Sequence, residues 1–392
     1  MRFSPLVAQI PDYPFRKVGQ ISREVEQRDG VKVINARIGI PDKEAPKSLK
    51  EAMARFMLEE NSTLGYPCDT HPERGIPELI EAIIGDYREK YGVALQPKNI
   101  AVTGWNKEVL HNIVRLFAPG AVYIPDPVYP AYEPAVVLSG HNVKRVRTSA
   151  ATNWLPEFNF RTSKENPVAF YFCDPNNPTG AVADRAFYES LLKEMKNTDI
   201  VGIFDKAYKN YTYDDKTKPV SITQIPGMLE QGFELVSFSK HYNFVGVGLG
   251  WMVSSEENIN RWFKLASQYS QGVEWYKQKT GVEALRSLAV KAEMQTYFKE
   301  VKERRDIFTK GLRELGLMVN TPEATPYLWI KAPEGFDDEK FVLETLINKA
   351  HVAFMPGSYF GENGRGYMRA TLFLSKKEIE EVLDRIKKVK TW

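Results

Sequence analysis

The chain reads as an α/β protein: a large domain with a mostly parallel central sheet and helices on both faces, plus a smaller α+β domain. Three observations predict this. Short, almost wholly apolar runs at 168–173 (VAFYFC), 200–204 (IVGIF) and 234–238 (ELVSF) alternate with helix-like stretches. Strands apolar on both sides are buried on both faces, as in a parallel sheet. Each run is followed at or near its end by a chemically capable residue, Asp174, Asp205 and Lys240, and such sheets build their sites at the carboxyl ends of strands. Finally, 392 residues exceed one ordinary core, so a second, smaller domain is expected.

In chain order, residues 31–38 (VKVINARI) alternate like a strand, and Gly39-Ile40-Pro41-Asp42 punctuates them as a turn. Apolar residues at helical spacing follow over 48–60. The run 76–91 (IPELIEAIIGDYREKY) is an amphipathic helix with Pro77 in its first turn, where a missing N–H is tolerated. Residues 99–102 read as a strand, 107–117 as a helix, 121–124 as a strand and 132–139 as a helix, ahead of the three apolar strands. A long charged helix over 291–315 breaks the alternation and leads into the second domain. A strand at 327–331, a helix at 340–349, a strand at 367–374 and a final amphipathic helix from Lys376 complete it. The expected divisions are 1–44 (an arm and part of the small domain), 45–288 (the large domain) and 289–392 (the small domain).

Composition narrows the function. Apolar residues make up 43% and charged residues 26% of the chain, as in globular proteins. The net charge of +3 is near neutral for this length and no long basic run occurs, which argues against nucleic-acid binding. No stretch approaches the roughly 20 apolar residues that span a bilayer. The opening MRFSPLVAQIPDYPF lacks a signal-peptide core, so no membrane role and a cytoplasmic location are expected. Cys68 and Cys173 lie far apart without ligand spacing, so neither a disulfide framework nor a metal site is expected, and both thiols are read as buried or idle.

Lys240 closes the run Val236-Ser237-Phe238-Ser239-Lys240 ahead of a glycine-rich segment. An amine held against apolar surface is penalised in its charged form and can form an imine with a carbonyl compound. Four further patches need a joint explanation with it: Asp126-Pro127-Val128-Tyr129-Pro130; Asp174-Pro175-Asn176-Asn177-Pro178-Thr179-Gly180; Asp205-Lys206-Ala207-Tyr208; and Arg369. Taken singly, each has an ordinary reading as a turn, a cap, a packing tyrosine or a surface arginine. The ordered set resembles the class I/II aminotransferases of fold type I, which use pyridoxal 5′-phosphate (PLP), over almost the whole chain. IPDYPF near the start and GVGLGW after the lysine look nearest the branch containing LL-diaminopimelate aminotransferases.

The resemblance implies roles. Lys240 would hold the cofactor as an imine and later carry the proton between the substrate α-carbon and the cofactor. Asp205 would pair with the pyridinium nitrogen and keep the ring an electron sink. Asn177 and Tyr208 would hydrogen-bond the ring's phenolic oxygen, and Tyr129 would stack on its face. Ser237, Ser239 and the helix start at Asn106 and Lys107 suit the phosphate. Arg369 would clamp the substrate carboxylate bidentately, with Gly39 also at the substrate. Tyr66 would reach across a homodimer interface to the neighbouring phosphate, giving shared active sites. The implied reaction moves an amino group from an amino acid to a 2-oxo acid in a ping-pong cycle. β-Elimination, oxidation and a non-catalytic PLP-binding sensor are the alternatives on the same fold.

Two departures fall on the phosphate cup. Relatives carry an arginine eight residues after the lysine, where this chain has Gly248. Relatives read Thr-x-Gly-Ser-Lys-Glu where this chain has Thr103-Gly104-Trp105-Asn106-Lys107-Glu108. Lys206 or His241 is the expected source of compensating charge. Gly246-Val247-Gly248-Leu249-Gly250 does not make a dinucleotide fingerprint, because its third glycine comes too early. Within 267–277, Glu274 is the candidate contact for a basic substrate tail.

Overall fold

In the computed structural model, residues 3–61, 74–160, 163–214 and 217–392 are described. The strands in chain order are β1 (Ile34–Asn35), β2 (Ile100–Thr103), β3 (Ala121–Asp126), β4 (Asn142–Arg147), β5 (Pro167–Cys173), β6 (Val201–Asp205), β7 (Gly232–Ser237), β8 (Gly250–Val253), β9 (Met318–Val319), β10 (Tyr327–Lys331), β11 (Val352–Ala353), β12 (Met355–Pro356) and β13 (Tyr367–Thr371). Seven of them form the large sheet in the order β2-β8-β7-β6-β5-β3-β4. From β7 through β6, β5 and β3 to β4 the pairing is parallel, and β8 runs antiparallel to both β7 and β2. The inner strands are buried along their length because both faces are covered.

Helices cover the sheet with their apolar faces inward. Helix Pro77–Tyr91 begins with proline at its first position, buries Leu79, Ile80, Ile83 and Tyr87, and ends at Gly92 with φ 67°. Only glycine adopts that left-handed cap cheaply. Helix Arg185–Met195 is capped by Asp184, whose carboxylate accepts the Phe187 N–H at 2.8 Å. A second apolar cluster under β5 and β6 is rich in aromatics, with the Phe204 ring meeting Phe170, Phe172 and Tyr188.

The 27-residue helix Leu288–Glu314 leads from the large sheet to a four-stranded antiparallel sheet ordered β12-β13-β10-β9. β1, from the start of the chain, pairs in parallel with β11. Thr371 N–H donates to the Ala36 carbonyl at 2.8 Å, tying the N-terminal segment to β13. In the register of β10 and β13, Tyr327 faces Thr371 and Trp329 faces Arg369. Tyr327 and Arg369 are therefore diagonal neighbours on one face.

Several elements differ from the sequence expectation. The strand expected over 31–38 contracts to Ile34–Asn35, because only two residues find a partner. The helix expected over 340–349 is a short α turn, Asp338–Lys340, followed by a π-helical turn, Phe341–Ile347. β4 lies at the sheet edge with four of its six residues exposed, so its sequence NVKRVR carried no apolar run. The glycine-rich segment after Lys240 turns into β8 at Gly250.

Candidate active site

The carboxyl ends of β5, β6 and β7 lie side by side, with Cys173 paired to Asp205 and Asp205 to Leu235. β7 ends at Ser237, whose hydroxyl accepts the Ser239 N–H at 3.1 Å and starts the short helix Phe238–His241. That turn carries Lys240. Its Nζ donates to the Gly39 carbonyl at 2.6 Å. Burial, with a smaller contribution from the Arg369 charge, pulls the Lys240 ammonium down to about 8. An amine with that pKa has a far larger neutral fraction near physiological pH than an ordinary lysine, and the neutral form can attack a carbonyl carbon.

Gly39, Asn106, Lys107, Tyr129, Asn177, Asp205, Tyr208, Ser237, Ser239, Lys240 and Arg369 all line one cavity of about 400 Å³. Tyr66 lies outside the described residues. Each side chain is held by local structure. Asp205 Oδ2 accepts the Tyr132 hydroxyl at 2.9 Å and Oδ1 accepts the Ala207 N–H at 3.1 Å. Burial raises the Asp205 pKa, and these two donors oppose the rise. A cation placed beside the carboxylate would hold it ionised. The NNPTG turn is closed by Gly180 N–H to the Asn176 carbonyl at 2.9 Å, with Gly180 at φ +75°. The turn aims Asn177 at Arg369, whose Nη1 donates to Asn177 Oδ1 at 2.7 Å.

Arg369 is 1% exposed. Its Nη2 donates to the Arg37 carbonyl at 2.7 Å, and its Nε has no partner among the described residues. The guanidinium sits over the Tyr327 ring at 4.1 Å, with Phe360 at 4.8 Å and Phe15 at 5.3 Å. A buried cation with a free donor, boxed by aromatic faces, is a receptor for a carboxylate. Tyr129 stands edge-on to Tyr132, with ring centroids 6.0 Å apart. Its segment is held by Val128 N–H to the Phe360 carbonyl at 2.8 Å and by Asp126, which accepts the N–H groups of Glu362 and Asn363.

The helix start at Asn106 and Lys107 has its own chemistry. Asn106 and Lys107 open helix Asn106–Ile113, where backbone N–H groups lack partners within the helix. The side-chain amide of Asn106 is buried beside the Asp205 carboxylate and makes no well-formed hydrogen bond among the described residues, as expected where a polar ligand completes the site. Gly248 has φ +66°, and a Cβ there would lie 2.5 Å from Trp105 Cε2 and Nε1. The Trp105 ring thus occupies the space beside Gly248. The two departures seen in sequence are a single packing arrangement.

Compensation by Lys206 or His241 is overturned. Lys206 Nζ is committed to Asp174 at 2.6 Å, the Tyr188 hydroxyl at 2.5 Å and the Val220 carbonyl at 2.7 Å. His241 stacks on Phe298 at 5.3 Å and lines a different cavity, with Asp86 and Lys209. Neither lines the cavity of Lys240. Glu274 pairs with Lys277 at 2.7 Å and also lies outside that cavity. Cys173 is buried, as read from sequence, but it lines the cavity and donates to the Pro175 carbonyl at 3.3 Å. Sequence reasoning missed Tyr132, the partner of Asp205, and Tyr13 and Tyr327, which line the Lys240 cavity. Tyr132 follows the DPVYP patch closely enough that its partnership with Asp205 had a local signal.

A primary amine, a buried carboxylate, hydroxyl and amide donors and a helix start in one cavity fit a phosphorylated pyridine aldehyde. Comparison with known proteins agrees. The family model for aminotransferase class I and II matches residues 31–386. LL-diaminopimelate aminotransferase 2 of Nostoc sp. is 31% identical over 98% of each chain. The substrate-bound BacF structure from Bacillus subtilis is 30% identical, covers 99% of this chain and 98% of its own, and superposes with a TM-score of 0.89. The aspartate aminotransferase structure from Thermotoga maritima is 27% identical, with coverage of 98% and 99% and a TM-score of 0.86. The fold is that of the fold type I enzymes, and the chain belongs to the class I and II aminotransferases, which use pyridoxal 5′-phosphate and act on amino and 2-oxo acids.

Proposed function

We propose that the cavity around Lys240 is where this chain moves an amino group from an amino acid to a 2-oxo acid in two successive half-reactions. The observation that carries the reading is the pairing, in one buried cavity, of a lysine held near 8 with a fully buried arginine. Bound there, pyridoxal 5′-phosphate supplies an aldehyde carbon and an electron-accepting ring. Lys240 Nζ would hold the aldehyde carbon and would carry the proton taken from the substrate Cα. Asp205 would pair with the ring nitrogen and keep it protonated. Asn177 and Tyr208 would hydrogen-bond the phenolic oxygen, and Tyr129 would pack on the ring. Ser237, Ser239 and the amides at Asn106 and Lys107 would take the phosphate, with the Lys107 ammonium contributing charge. Arg369 would hold and orient the substrate α-carboxylate, with Gly39 lining the same cavity.

A homodimer with shared sites is part of the proposal. Trp105, at the phosphate end, is 37% exposed, and Met57 and Leu58 on helix Lys47–Glu59 are 60% and 89% exposed. Apolar surface of that kind is suited to burial against a second copy. Light scattering should give twice the mass of one chain, and a monomer with full activity refutes it.

The relatives carry names from different substrate classes, so the donor is set by a scan. Amino donors, LL-diaminopimelate, aspartate and aromatic amino acids among them, are offered with 2-oxoglutarate as acceptor. Transfer with at least one pair, abolished by Lys240→Ala, is expected. Failure of every pair with cofactor-loaded protein refutes the reading.

A further inference from the structure

We infer that Tyr327 is a positioning residue that holds Tyr208 toward the cofactor and Arg369 toward the substrate carboxylate. The inference rests on the roles proposed above for those two residues. Tyr327 opens β10 and is 2% exposed. Its hydroxyl lies 2.8 Å from the Tyr208 hydroxyl, and its ring carries the Arg369 guanidinium at 4.1 Å. The same hydroxyl presses on Gly39, where an added Cβ would stand 1.9 Å from the oxygen. Glycine is therefore required beside it. The Gly39 carbonyl in turn accepts the Lys240 ammonium at 2.6 Å.

The two hydroxyls share one hydrogen bond and have two protons between them. When Tyr327 donates to Tyr208, the Tyr208 proton is left free to point at the phenolic oxygen of the cofactor. Without Tyr327, the Tyr208 hydroxyl rotates and that donation weakens. A donor on the phenolic oxygen withdraws the electron density that oxygen lends to the neighbouring protonated nitrogen, so it lowers the pH at which the bound cofactor's visible absorption changes. Separately, the ring is the flat surface on which the guanidinium rests, and its loss frees Arg369 to swing.

The test uses cofactor-loaded protein with Tyr327→Phe, Tyr208→Phe, the double variant and Tyr327→Leu, each checked for a retained cooperative melt. Tyr327→Phe removes the hydroxyl and keeps the ring. It should raise the spectral transition by about half a pH unit, the effect of one neutral hydrogen bond, with little change in KM. In the Tyr208→Phe background it should add nothing. Tyr327→Leu should also raise KM for both the amino acid and the 2-oxo acid by about ten-fold. If Tyr208→Phe shifts the transition and Tyr327→Phe does not, or if the two shifts simply add, the inference is overturned while the role of Tyr208 stands. If Tyr208→Phe itself leaves the transition unmoved, the proposed role of Tyr208 fails first. An unchanged KM in Tyr327→Leu overturns the Arg369 half.

Discussion

Placing an arginine at position 248, where relatives have one, should harm this protein unless Trp105 is removed as well. Gly248 sits at φ +66°, a left-handed conformation that costs a residue with a side chain roughly 1–2 kcal/mol. Its Cβ would also lie 2.5 Å from two Trp105 ring atoms, and overpacking of that kind costs about 1–3 kcal/mol. Gly248→Arg alone should therefore lower stability by about 2–5 kcal/mol in the cofactor-free protein. In a Trp105→Gly background only the backbone cost should remain. The coupling between the two positions, read by urea unfolding of the four proteins, is then about 1–3 kcal/mol. Cofactor binding gives a second reading. Gly248→Arg with Trp105 in place gains no phosphate contact. The double variant gains one charge-assisted contact, worth about ten-fold or more in cofactor affinity measured by absorbance titration. Equal destabilisation by Gly248→Arg in both backgrounds, or tighter cofactor binding by Gly248→Arg alone, would refute the packing argument.

Other substitutions probe separate parts of the site. Asp205→Asn keeps the shape but removes the charge, so kcat should fall by about a hundred-fold or more while substrate KM changes little; an unimpaired kcat counts against the ring-nitrogen assignment. Arg369→Lys loses the planar fork and should raise KM for amino acid and 2-oxo acid together by about ten-fold, whereas a rise for one alone contradicts a shared carboxylate clamp. Because burial lowers Lys240 to about 8, the neutral amine grows as pH rises toward that value and saturates above it. The rate of cofactor capture followed by stopped-flow absorbance should rise and level off in the same way, and a flat profile speaks against a titrating Lys240. Lys206→Met strands the wholly buried Asp174. It should cost about 3–5 kcal/mol of stability in urea unfolding yet leave cofactor affinity within about two-fold; loss of affinity without loss of stability would return Lys206 to the phosphate.

Lys240 and Asp205 were legible because strand ends in a parallel sheet are where such a fold places chemistry, and the apolar runs before them are local signals. Arg369 had no local signal and entered through the resemblance alone. Tyr327 was illegible for a similar reason: its neighbours Tyr208 and Gly39 are far away in sequence and meet it only when β10 and β13 pack over the ends of β6 and β7. Lys206 was misread because adjacency in sequence was taken for adjacency in space. Successive residues leaving a strand point to opposite sides, so Asp205 faces the cavity and Lys206 faces Asp174. His241 is turned away from Lys240 by the same logic along one helical turn. β4, an exposed edge strand, carries no apolar run, and β8 is apolar but only four residues long and opens on the last glycine of a glycine-rich segment that reads as a turn.

The most direct measurement of the central claim is a single half-reaction. Cofactor-loaded protein is mixed with an amino donor in the absence of any 2-oxo acid, and the absorption spectrum and released products are followed. Conversion of the bound cofactor to pyridoxamine 5′-phosphate is expected, with one 2-oxo acid released per site, reversed by adding a 2-oxo acid and absent in Lys240→Ala. A spectrum that no donor changes would contradict it, as would release of ammonia with pyruvate, or of peroxide, in place of an aminated cofactor.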